Sequence, residues 1–132
     1  MTMKLTEASQ FDCIVPPQDV GTADVTGTFT DVSNCKRFVV LAKAGAVTAA
    51  KTLTVQLRQA KDAAGTGAKD LGLPVTSVGA GGNPPADVEI EHYSGDLDAA
   101  NGFTFVTAVL GIDENAKLGA AYLVRGERRY LP

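Results

Sequence analysis

The sequence has no tryptophan, one histidine, two cysteines and two methionines among its 132 residues. Each shortage excludes something. A single imidazole, His92, rules out multi-histidine metal centres and histidine relays. Cys13 and Cys35 form no C-x-x-C pair, so zinc and dithiol redox motifs are absent. With nothing pointing to export, both are expected to be reduced, buried thiols. Without tryptophan, the commonest sugar-stacking platform is missing. No apolar run approaches the ~20 residues needed to span a bilayer. The first residues, Met1 to Glu7, lack the apolar stretch of a signal peptide, so synthesis and folding in a cytoplasm are expected. Basic excess is missing too. Twelve Lys and Arg against fifteen Asp and Glu leave a net charge of −3, whereas nucleic-acid binders carry a basic face.

Threonine, valine, glycine and alanine dominate what remains, which suits strands and turns. The length fits one domain with its own core. Residues 1–19 are poorly patterned, and Val15-Pro16-Pro17 is extended because proline fixes its own φ and restrains its predecessor. They read as an extended N-terminal arm, with 20–132 as a single β domain ending in a short tail from Gly126 onward. Val25–Thr30 alternates as a half-buried strand. Arg37–Ala42 is apolar on both faces and reads as a strand covered on both sides. Thr52–Gln59 alternates most cleanly. Residues 61–69 read as a mobile loop, and 71–78 as a weak or edge strand because Pro74 cannot donate. Asp87–Glu91 alternates again. Asp96–Gly102 reads as one helical turn capped by Asp96 and closed by Gly102. Phe103–Leu110 and Ala120–Arg125 are the last two strands, the first of them central. Seven or eight short strands without long helices predict an all-β sandwich or jelly roll.

Three groupings carry possible chemistry, and each yields to a plainer explanation. His92, Ser94 and Asp96 lie close in sequence, but a catalytic triad is a matter of geometry, and Ser94 lacks the nucleophile-elbow context. Asp96, Asp98 and Asn101 miss the spacing of a calcium loop. Asp62 to Gly67 is glycine-rich but has neither the spacing nor the following helix of a phosphate loop. No catalytic residue, metal ligand or cofactor is predicted. The ends of the chain are the expected contact regions: Val15, Pro16 and Pro17 before the domain, and Arg125, Arg128, Arg129 and Tyr130 after it. Arginine and tyrosine are favoured at interface hot spots.

Three stretches together carry a resemblance: Leu53–Asp70 with its alternating strand and glycine-rich loop, Leu97–Phe103 with the strand that follows, and Ala120–Tyr130. The chain resembles small structural proteins of tailed bacteriophages, the head decoration or cement proteins, from about Val20 onward. The resemblance implies a jelly-roll domain on the outside of a virion, made in the host cytoplasm. It further implies the major capsid protein as partner, a homo-dimer or homo-trimer, no membrane, no direct nucleic acid and no enzymatic activity. The alternative is a host-glycan-binding sandwich module of a phage tail or fibre; a third reading, a hydrolase, rests on His92 and Ser94 alone.

Overall fold

Alternation decides which side of each long strand is buried. In β5 (Thr52–Ala60), Leu53, Val55 and Leu57 are buried while Thr52, Thr54 and Gln56 are half-exposed, the period-two pattern of a strand with one covered face. The computed structural model describes residues 9–79 and 85–128. The other strands are β1 (Gln10–Asp19), β2 (Val25–Thr26), β3 (Thr30–Asp31), β4 (Cys35–Ala46), β6 (Lys69–Asp70), β7 (Val75–Val78), β8 (Pro85–Tyr93), β9 (Phe105–Ile112) and β10 (Leu118–Arg128).

All ladders are antiparallel. One sheet runs β1-β10-β4-β8. The other runs β2-β9-β5-β6, with β3 also on β9 and β7 also on β5. Taking β2 with β3, and β6 with β7, as interrupted single strands leaves eight, ordered 1-8-3-6 and 2-7-4-5. That is the order of a jelly roll, two Greek keys folded face to face. The expected all-β sandwich is therefore the observed architecture. Its core is the pair of inner faces, led by Ile14, Phe38, Val40, Leu53, Leu57, Leu110 and Leu123.

The expected strand Val25–Thr30 is broken for a local reason. Gly27 N–H donates to the Ala108 carbonyl at 2.9 Å, and Thr28 N–H then turns to the Ile14 carbonyl of β1 at 2.9 Å. A Cβ on Gly27 would stand 2.7 Å from Thr107 Oγ1 and 2.8 Å from the Ile14 oxygen. Only glycine fits where the chain passes this close to β1, between two segments that both pair with β9.

Three boundary expectations change. Residues 10–19 are not an arm: they form β1, paired with β10 and burying Ile14 and Val15. Pro16 and Pro17 are tolerated because the register slips between Val15 and Gln18, a bulge on an edge strand, where a missing N–H does little harm. Gly126 to Arg128 likewise continue β10 instead of starting the tail, since Gly126 and Arg128 still pair with Arg37 and Cys35. Residues 94–102 hold two short 3₁₀ turns, Ser94–Asp96 and Ala99–Asn101, in place of the one expected over Asp96–Gly102, and Asp98, not Asp96, stands at the N-cap of the second. Gly102 does take the expected left-handed conformation, φ 86°. The cysteines also differ from each other: Cys35 is buried, its thiol against the Val32 carbonyl at 3.3 Å, but Cys13 is exposed.

Candidate interaction surface

The loops that suggested chemistry are occupied by structural bonds. His92 faces the sandwich interior, its ring stacked on Phe38 with centroids 6.0 Å apart. Its Nδ1 lies 2.9 Å from Asp96 Oδ2, and the same oxygen accepts the Tyr93 N–H at 3.1 Å. These bonds, the one to His92 foremost, hold the Asp96 carboxyl below its ordinary value. A Cβ on Gly72 would stand 3.7 Å from the other imidazole nitrogen. Ser94 Oγ donates to the Lys36 carbonyl at 3.4 Å. The serine is thus turned away from the imidazole, and the three residues do not form a triad.

Asp98, one of the calcium candidates, binds Lys69 Nζ at 2.6 Å and Asn101 Nδ2 at 2.9 Å. Its carboxylate is already committed to a cation. The glycine-rich loop is tied down, contrary to the mobility expected of it. Asp62 accepts the Ala64 N–H at 3.0 Å, the Thr66 N–H at 3.1 Å and the Thr66 hydroxyl at 2.6 Å. Such a side chain bonding its own loop backbone is an Asx turn.

Five carboxyls share this chemistry. Asp19, Asp62, Asp96, Asp98 and Glu114 are all held below their ordinary values, chiefly by side-chain hydrogen bonds from Thr22, Thr66, His92, Lys69 and Thr48 respectively. A folded-state pKa that is depressed stabilises the fold fully above the unfolded value and loses that effect as pH falls through the folded one. Stability measured by urea unfolding is therefore expected to be level above about pH 5. It should fall as pH drops below the ordinary values, 3.8 for Asp and 4.5 for Glu. A decline beginning above pH 6 would contradict the assignment.

The residues expected to make contacts from the chain ends scatter. Val15 is fully buried, and Pro16 and Pro17 are exposed on the β1 edge. Arg125, expected to reach a partner, is 7% exposed. Its Nη2 lies 2.7 Å from Asp12 Oδ2 and its Nη1 donates to the Asp31 carbonyl at 3.0 Å. It clamps β1 and β10 to β3 of the opposite sheet, and so belongs to the interior. Arg128 ends β10. Arg129 and Tyr130 lie outside the described residues.

A different surface draws the eye once the register is laid out. On the outer side of the β1-β10-β4-β8 sheet, two rows of side chains cross all four strands. One row is Phe11, Val124, Val39 and Glu91; the other is Cys13, Tyr122, Leu41 and Glu89. Residues directly opposite in antiparallel strands share a face. Phe11 is 53% exposed and Tyr122 40%. The outer face of an antiparallel sandwich is ordinarily polar, yet here its centre is apolar over three adjacent strands. A shallow depression of about 170 Å³ opens in it, bordered by Val39, Glu91, Val124 and Arg37. Arg37–Ala42, expected to be covered on both sides, is uncovered on its outer side, where Val39 and Leu41 are half-exposed. The doubly apolar run was the available signal for this face.

The outer side of the second sheet is different. It holds a depression of about 330 Å³ lined by Asp24, Thr52, Thr54, Gln56, Val109 and Asp113 among others. Asp113 Oδ1 accepts the Thr52 N–H at 2.6 Å. Gly111 leaves room for the Asp24 carboxylate, which a Cβ would displace. No aromatic ring lines it.

No family model matches the chain, and no curated protein matches it. Solved structures are similar in fold at low identity. The infectious bursal disease virus Gt strain structure is 8% identical with a TM-score of 0.45, covering 90% of this chain and 32% of that one. The cowpea mosaic virus top component, a naturally occurring empty particle, is 8% identical with a TM-score of 0.48, covering 89% and 82%. A carbohydrate-binding module specific for non-crystalline cellulose is 9% identical with a TM-score of 0.43, covering 89% and 74%. The chain thus spans about a third of the length of the first. With every one of these scores below 0.5, the functional reading rests on the chain's own surfaces.

Proposed function

We propose that the chain is a structural virion protein that binds the outer surface of a phage capsid and holds neighbouring capsid subunits together. One observation carries the reading: the uncovered apolar centre of the β1-β10-β4-β8 outer face, around Phe11, Tyr122, Val39 and Leu41. Exposed apolar patches on an otherwise well-packed domain mark protein contacts. A rigid jelly roll offering a binding face and no chemistry suits a clip. Repetition over a symmetric shell then turns modest single contacts into strong retention. The resemblance to head decoration proteins points the same way.

Shells of the cognate virus assembled without this chain test it by co-sedimentation and heating. Wild-type protein is expected to bind them and raise their heat tolerance. Tyr122→Asp, which places a charge in the apolar centre, is expected to weaken binding at least about thirtyfold, the loss of one hot spot of ~2 kcal/mol. Its own unfolding midpoint should move little, because Tyr122 faces outward. Wild-type protein that neither binds the shells nor protects them would sink the proposal.

A second reading, a host-glycan-binding module of a phage tail or fibre, draws on the polar groove of the other sheet. Asp24, Thr54, Gln56 and Asp113 could bond sugar hydroxyls, but the groove offers no ring to stack on. Retention on a glycan array that Gln56→Ala abolishes would replace the shell reading.

A further inference from the structure

The same outer face carries a charge pattern that selects its occupant. Along β8, Asp87, Glu89 and Glu91 point outward at every second position, all exposed. Asp87 is neutralised by Lys43, 3.1 Å away on β4. Glu89 and Glu91 make no hydrogen bond or ion pair with any described residue. They stand beside Leu41 and Val39, at the end of the two apolar rows. Along these two rows the face is therefore apolar over β1, β10 and β4, and anionic at β8.

A second copy of the chain fits this pattern badly. Two copies packed face to face about a two-fold axis lying across the strands would set each Glu89–Glu91 row over its own equivalent. An axis along the strands would set the row over the partner's β1 margin, where Phe11 and Cys13 project. Either arrangement desolvates two carboxylates while the described cations on this face, Lys43 and Arg37, are already engaged, and uncompensated buried charge is strongly unfavourable. A complementary surface must bring its own positive charge, as like-charge juxtaposition suppresses wrong partners.

We propose that this face takes a different protein, one presenting an apolar patch rimmed by at least two Lys or Arg side chains. Those cations seat on Glu89 and Glu91, about 7 Å apart as alternate residues of a strand. The apolar side chains of the partner cover Tyr122, Leu41 and Val39. The inference rests on the shell-binding reading and specifies the chemistry of the shell-side footprint.

The test uses the full chain and shells assembled without it, with binding measured over a range of salt concentrations. Wild-type binding is expected to weaken as salt rises, because rim charges are screened. Glu89→Lys with Glu91→Lys is expected to bind at least about tenfold more weakly at low salt, each exposed pair contributing modestly and each reversal adding repulsion. The double Glu→Gln variant should fall between and show a flatter salt response. Both variants should melt with wild type, since the two side chains are exposed. Charge reversal that leaves shell binding and its salt dependence unchanged would overturn the inference while leaving the shell reading intact. Wild-type protein that binds no shells overturns both. Self-association of the isolated protein that Tyr122→Asp dissolves would show the face to be occupied by a second copy, and would also overturn it.

Discussion

Asp12→Ala is expected to lower the unfolding free energy by about 3 kcal/mol, the effect of stranding a buried charge. The Arg125 side chain is 9% exposed, while that of Asp12 is 30% exposed. Removing the carboxylate leaves the guanidinium inside with the Asp31 carbonyl as its acceptor among the described residues. Its Nε is already buried without a partner. Removing the arginine has a different consequence. Arg125→Met puts an apolar chain of similar length beside Phe38, its cross-strand neighbour, and Asp12, 30% exposed, can turn to water. That substitution should be much milder, because replacing a buried ion by a well-packed apolar group is often close to neutral. The double variant should therefore be more stable than Asp12→Ala alone. Urea unfolding of the three variants measures this directly. Equal losses for the two single variants would mean that Arg125 works by its bulk, not by its charge.

The second large effect is expected at Phe38. Its ring is fully buried on the inner face of β4 and stacks on His92 at 6.0 Å. Phe38→Ala removes most of the largest fully buried side chain and leaves a cavity, a change that typically costs about 3–5 kcal/mol. The denaturant midpoint should drop sharply while the slope stays constant, since the surface exposed on unfolding is nearly the same. Leu41→Ser is the informative control. Leu41 sits three residues along the same strand and points the other way, so its loss should shift stability by about 1 kcal/mol or less and act instead on binding. If Leu41→Ser proved as damaging as Phe38→Ala, the outer face would be part of the folding core and not an interaction surface.

Much of the architecture was readable from the residues. The alternation of β5 and β8 and the glycine at 102 match the fold, and joining β2 with β3 and β6 with β7 brings the ten strands to the expected eight. What failed was local pattern where long-range contacts decide. Pro16-Pro17 hides β1, because an edge bulge tolerates residues that would break a central strand. Arg125 looked like part of a basic tail, and its partner Asp12 lies 113 positions away. No spacing rule connects them. The apolar outer side of β4 was visible as a doubly apolar run, but periodicity alone cannot tell a side covered by the same chain from a side covered by another. The register supplies that distinction, by placing Val39 and Leu41 beside exposed Tyr122 and Phe11. The candidate surface therefore formed from pieces the sequence displayed separately.

Cys13 provides the most direct check on that surface, for it lies within the apolar rows opposite Tyr122 and is exposed, while Cys35 is buried. Thiol labelling can be compared between free protein and protein bound to shells, with each cysteine followed by mass spectrometry. Cys13 is expected to label quickly in the free protein and to be protected on the shell, with Cys35 slow in both. Cys13 that labels equally fast in both states would place the outer face of the β1-β10-β4-β8 sheet in solvent on the shell and contradict its role as the binding surface.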